Sequence, residues 1–243
     1  MPDLPSLDRA VSDCRACPRL VAWREETARV KRASFRDWTY WARPIPGYGP
    51  GDASIAIVGL APAAHGGNRT GRIFTGDRSG DWLYAALYRV GLANQATSVT
   101  IDDGLRLTDT RILAAVRCAP PANKPTPEER DRCAPWMSRE LSLLPKLRVI
   151  VVLGHFGWNA LWPVVTSLSY VVPRHRPRFA HGASVTLEHP QRPVLNVLGC
   201  YHVSQQNTFT GVLTEAMLDA VLLRARELAE GADAGSGAAG RSH

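Results

Sequence analysis

Three parts of this 243-residue chain have residue types and spacing that could do chemistry: its cysteines, a glycine-rich loop and a histidine-bearing loop. Cys14 and Cys17 form a C-x-x-C pair. Cys118 and Cys133 form a wider pair with 14 residues between them, and Cys200 stands apart. Four thiolates are a standard ligand set for an iron–sulfur cluster, and equally for structural Zn²⁺. Spacing alone leaves both metals open, and unrelated buried cysteines are the plain alternative. Five cysteines, an odd number, argue against a disulfide framework.

The glycine-rich loop is GLAPAAHGGNRTGRIFTGD, residues 59–77. Gly59, Gly66, Gly67, Gly71 and Gly76 let the backbone approach a ligand closely. His65, Asn68, Arg69 and Asp77 add polar groups, and Phe74 adds a flat apolar face. Such loops often bind nucleotide phosphates, but the P-loop pattern and the G-x-G-x-x-G spacing are both absent. The third stretch is YHVSQQNTFTG, residues 201–211. His202 there is placed to donate to a ligand, although a single histidine is more often structural.

The elements that must position these loops are legible as alternating patterns. Residues 5–30 read as helical and 31–53 as an ordered loop rich in aromatics, Pro and Gly. Apolar runs at 54–60, 111–117, 148–153 and 193–198 read as buried strands. Helical patterns occupy 81–90, 126–143, a segment starting at 156, and 209–230. Thr126 and Glu129 have the spacing of a capping box. This alternation predicts an α/β fold: one α/β/α sandwich with a central, mostly parallel sheet of four or five strands. In such folds the site lies beyond the C-terminal strand ends. The expected domain spans 1–230, and the Gly-rich 231–243 reads as a disordered tail.

The net charge is +7 and three of the 29 basic residues are lysine. A basic surface suits a polyanionic partner without proving one. No apolar run is long enough for a transmembrane helix, and the N-terminus lacks a secretory pattern. The expected location is therefore the cytoplasm, with no membrane partner.

Taken together, the motifs resemble the uracil-DNA glycosylase superfamily. A G-x-A-P loop leads into G-R-x-F-x-G, Cys14 and Cys17 precede it, C-x-P-P follows a middle strand, and a histidine–serine loop precedes the last helix. The order covers residues 14–211, and the long form of the first loop resembles the family 5 branch more than family 4.

The resemblance implies hydrolysis of the N-glycosidic bond of uracil and related deaminated bases in DNA, in base excision repair. Cys14, Cys17, Cys118 and Cys133 match the ligands of a structural 4Fe–4S cluster. His202 matches the histidine near the base's O2, and Phe74 the ring that stacks on the flipped base. Asp77 and Asn123 match the polar residues around the attacking water; capping a helix and shaping a turn are their plain alternatives. Ala61, Pro62 and His65 fall at the base, and Ser204, Gln205, Gln206 and Asn207 where the family enters the vacated stack. Arg69 and Arg72 are candidate phosphate contacts. Apolar Ala61 and Ala114 replace polar groups of other branches, which implies broad specificity reaching hypoxanthine. Val203 stands where many relatives have proline. The expected partner is double-stranded DNA carrying uracil or deaminated bases, with single-stranded DNA a second form, bound by a monomer. A non-catalytic damaged-DNA-binding protein on the same fold is the alternative that Ala61 motivates.

Overall fold

The computed structural model describes residues 3–231. The expected disordered tail, beyond Gly231, lies outside the described residues. Three strands of the sheet are buried along their whole length: β1 (Ile55–Gly59), β2 (Thr110–Ala114) and β3 (Val149–Leu153). β4 (Ser184–Leu187) and β5 (Leu195–Cys200) complete it in the order β2-β1-β3-β5-β4. The first four strands in that order run parallel, and β4 pairs antiparallel with β5. β1 is hydrogen-bonded to both β2 and β3, so the strand order reverses beside it. A crevice opens there in folds of this kind.

Alternate residues of each strand face opposite layers, the period-2 consequence of the pleat. Ile55, Ile57, Val149 and Val151 pack on α4 (Arg78–Arg89) and α8 (Glu215–Glu230). Ala56, Val58, Ile150 and Val152 pack on α5 (Pro127–Ser142) and α6 (His155–Ser167). Trp158 and Trp162 meet edge to face at 5.0 Å inside the second layer. The expected α/β/α sandwich is therefore present. No described helix is long and apolar enough to cross a membrane.

Several boundaries differ from the sequence reading, each for a local reason. The segment 5–30 is two helices, α1 (Leu4–Ser12) and α2 (Pro18–Val30), broken over 13–17. Pro18 starts α2, and a proline disfavours helical backbone in the residue before it. The last pattern also splits. A short α7 (Gln205–Phe209) ends before Gly211, whose φ is +72°, and α8 starts anew under the N-cap of Thr214. The Thr126–Glu129 capping box forms as read.

Candidate active site

Three strand-end loops enclose one cavity of about 550 Å³. The loop after β1 contributes Ala61, Pro62, Phe74 and Asp77; the loop after β2 contributes Asn123; the segment after β5 contributes His202, Ser204, Gln205 and Gln206. The Phe74 ring lies against Gly59, where a β-carbon would sit 2.8 Å from ring carbons Cε2 and Cζ. The absent side chain at Gly59 is what seats the ring. Phe74 itself has φ +52°, an uncommon backbone state for a bulky residue and a mark of constraint at the site. Its ring centroid is 6.3 Å from that of His202.

Asp77 does two jobs. It is the N-cap of α4, its Oδ1 accepting from the Gly80 N–H at 2.9 Å. It also lines the cavity, with Oδ2 directed at Gly66, where a β-carbon would approach to 2.0 Å. Burial pushes its carboxyl above the ordinary range, opposed by the N–H groups of Gly80 and Ser79. His202 is shifted the other way: burial lowers it to about 4, so the imidazole is neutral at neutral pH. It packs against Gly154 at the end of β3, where a β-carbon would lie 3.1 Å from its Cβ. Val203 is buried in the core beneath the loop, which anchors the chain where proline would otherwise stiffen it. Asn123 has φ +55° and follows Ala122 at +53°. Asparagine tolerates that left-handed state better than most residues, so the turn-shaping reading is satisfied while the residue also faces the cavity.

The remaining expected contacts divide. Ser204 caps α7, accepting from Asn207 N–H, and Gln205 and Gln206 are exposed at the cavity rim. Asn207 is turned inward, its Nδ2 donating to the His202 carbonyl at 2.8 Å, so it braces the loop where DNA entry was expected. His65 faces an adjoining cavity of about 650 Å³, and its Nδ1 meets Tyr40 Oη at 3.0 Å. Ala114 is buried at the end of β2.

The expectation that Arg69 and Arg72 contact phosphates is corrected. Arg69 is clamped between the Phe35 and Trp38 rings, each 4.0 Å away, and donates to the carbonyls of His65 and Gly76. Arg72 is 2% exposed and pairs with Asp103 at 2.6 Å, with further bonds to Thr75, Ser98 and the Ile101 carbonyl. Both hold the loop, with its single helical turn α3 (Gly67–Thr70), in shape. Their partners lie in distant or irregular segments, so no local pattern announced the burial. The sequence reading also missed Arg78 and Ser79, which line the cavity from the first turn of α4. The acidic cap before them was the available signal.

The four expected cysteines line a second, narrow cavity with Leu20, Val116 and Arg24. Burial pushes the Cys118 thiol up to about 11 and Cys133 up to about 12, so a metal would have to displace their protons. Among the described residues no group of three His, Cys, Asp or Glu side chains is gathered for a single metal ion. Arg24 Nη1 donates to Cys118 Sγ at 3.0 Å, the Arg117 backbone N–H donates to Cys133 Sγ at 3.3 Å, and the Arg132 side chain acts on Cys17. The Arg24 Nε is buried without a partner. A buried cation beside buried sulfurs fits an anionic thiolate–metal centre better than four neutral thiols. Cys200, on β5, is a fully buried core residue.

Comparison with known proteins agrees with this geometry. The family model described as the uracil DNA glycosylase superfamily matches residues 46–226. A type-5 uracil-DNA glycosylase of Mycobacterium tuberculosis is 54% identical over 224 residues, 92% of this chain and 81% of that one. A type-5 uracil-DNA glycosylase of Thermus thermophilus is 48% identical over 227 residues, 93% of this chain and 99% of that one. A type-4 uracil-DNA glycosylase of Pyrobaculum aerophilum is 30% identical over 160 residues, 65% of this chain and 64% of that one.

Proposed function

The chain belongs to the uracil-DNA glycosylase superfamily, and from that we propose that it excises uracil, and other deaminated bases such as hypoxanthine, from DNA by hydrolysis. The observation that carries the proposal is the convergence of Asp77, Asn123 and His202, from three separate loops, around one cavity faced by Phe74. A base inside a duplex must leave the stack to be reached, and Phe74 offers the ring it would stack on.

The chemistry follows from the two shifted groups. Water forms a bond to the sugar C1′ as the C1′–N bond breaks, and the base departs with the bonding pair. Asp77 accepts the water's proton: a carboxylate raised by burial is a stronger base than a solvated one. Neutral His202 donates an N–H to the negative charge growing on the leaving base, in a site with little water to compete. Asn123 orients the water, its side chain carried by the tight turn after Pro121. Among the described residues no lysine lines the cavity, which supports hydrolysis by water that leaves the abasic site uncleaved. Ala61 gives the base edge an apolar wall, which rejects analogues weakly and supports a broad base range.

Cys14, Cys17, Cys118 and Cys133, which line one cavity, would hold a 4Fe–4S cluster. Such a cluster would supply cross-links from these four thiolates, fastening the N-terminal segment to the loop after β2 and to α5. The hydrolysis uses none of its electrons.

The test is a time course on duplexes carrying single uracil or hypoxanthine residues, followed by alkali. Alkali-labile sites at both bases are expected. Their absence at stoichiometric enzyme overturns the activity in favour of a non-catalytic binder, and cleavage at uracil alone narrows the range.

A further inference from the structure

We infer that Arg24 is a positioning residue for the cluster: its buried charge and its N–H bond to Cys118 favour the reduced, more negative cluster and so raise the reduction potential. The inference rests on the iron–sulfur reading of the four cysteines.

Arg24 sits on α2, one turn beyond Leu20, and is 1% exposed. Among the described residues its side chain bonds to the Cys14 carbonyl at 3.3 Å and to Cys118 Sγ at 3.0 Å, and to no carboxylate. A guanidinium stays charged in any protein environment. A buried cation without a paired anion is costly; among the described residues Cys118 Sγ is the group bonded to Arg24 that can carry a full negative charge, while the Glu25 carboxylate acts on Arg24 without a hydrogen bond. The residue is also fixed from behind. The buried Asn68 donates Nδ2 to the Arg24 carbonyl at 3.2 Å, and Asn68 belongs to the loop that carries Phe74 and Asp77.

The other cations near the cysteines are differently placed. Arg117 is buried and acts on Cys133, but its guanidinium is ion-paired with Glu140, which it shares with Arg111. Arg132 acts on Cys17 and is bonded to the Ala16 carbonyl, but it is exposed, so solvent and salt screen its charge. Arg19 is paired with Glu129. Among the described residues Arg24 is therefore the buried cation whose side chain bonds to a cysteine sulfur and to no carboxylate. Hydrogen bonds to the ligating sulfur and burial of charge nearby are established levers on cluster potential. Adding one electron to the cluster increases its negative charge, and a fixed positive charge at 3.0 Å from one sulfur stabilises that product more than the oxidised form.

The test is a redox titration of the iron-loaded full chain with dithionite, followed by electron paramagnetic resonance, for the unaltered protein and for Arg24→Gln, Arg24→Lys and Arg132→Gln. Arg24→Gln is expected to lose about tenfold of the preference for the reduced cluster, a fall of about 59 mV for one electron. Arg24→Lys keeps the charge without the planar fork and is expected to fall between. Arg132→Gln is expected to shift least. If Arg24→Gln does not retain iron, Arg24→Lys decides: a midpoint below that of the unaltered protein supports the inference, and an equal one overturns it. An unchanged midpoint in iron-replete Arg24→Gln, or an equal shift in Arg132→Gln, also overturns it. Unaltered protein without iron or absorbance near ~400 nm instead removes the cluster reading on which the inference stands.

Discussion

The cysteine site and the base cavity are neighbours built by opposite means. Ala61 lines the cavity and also packs on the Leu20–Val116–Cys118 cluster, so a single residue separates them. At the cysteine site, side chains far apart in sequence meet because α2, the loop after β2 and α5 bring them together. Permanent charge is held there in the interior: Arg24 against sulfur, and Glu140 between Arg111 and Arg117. At the cavity, the groups lie on loops leaving β1, β2 and β5, and burial works against charge. His202 is kept neutral and Asp77 is pushed toward its protonated form. One region spends charge on holding segments together, and the other suppresses it to keep groups reactive. Lesions in the first should therefore appear as lost iron and stability, and lesions in the second as lost rate.

The sharpest break would come at Asp77. Asp77→Asn removes the proton acceptor but keeps a good N-cap for α4. The single-turnover rate on a uracil duplex should fall by ~10³-fold. The melting temperature should hold or rise, because the variant no longer buries an ionisable carboxyl. A matched loss of rate and melting temperature would mean that the residue is only a cap. Asn123 separates side chain from turn. Asn123→Gly keeps the left-handed backbone without strain and should still slow cleavage by about tenfold, within the range of a lost polar contact to the transition state. An unchanged rate would leave Asn123 as a turn residue alone.

The cysteine site should respond in the other currency. Cys118→Ser should abolish iron retention and leave the Arg24 charge without its anion, a loss of roughly 3 kcal/mol, or about 6–12 °C in melting temperature for a chain of this size. The single-turnover rate of the surviving folded protein at low temperature should change only a few-fold. A rate loss as large as that of Asp77→Asn, with the fold intact by circular dichroism, would erase the distinction between the two regions.

The same contrast explains what the sequence made legible. Buried apolar runs disclosed β1, β3 and β5, because a strand covered on both faces has few polar residues. β4 gave no such signal: it is short, at the sheet edge, and only Leu187 in it is fully buried. The cavity residues could be read because each lies on a strand-end loop, where composition and fold class both point to a site. The arginines could not. Arg69, Arg72 and Arg24 look like surface charge among the many arginines, and their burial depends on Phe35, Trp38, Asp103 and Cys118, none of them a local neighbour in the pattern. Cysteine spacing found the ligand candidates and left the cation beside them invisible.

The smallest expected effect concerns acid. Burial lowers His202 to about 4 in the folded protein, against an ordinary value of 6.5. Between those values the unfolded chain binds the proton and the folded one does not, so stability is lost as pH falls from 6.5 toward 4 and the loss levels off below. Asp77 acts in the opposite sense. Its folded value lies above the ordinary 3.8, so the folded state takes up a proton first and gains stability on acidification through that window. Melting temperatures between pH 7 and pH 4 should therefore fall less steeply for His202→Gln than for the unaltered protein, and more steeply for Asp77→Asn. Comparing differences between variants cancels the titration of all other groups that the substitutions leave alone. Identical slopes for all three proteins would show that the cavity tolerates charge after all, and that its contrast with the cysteine site is one of residue type and not of environment.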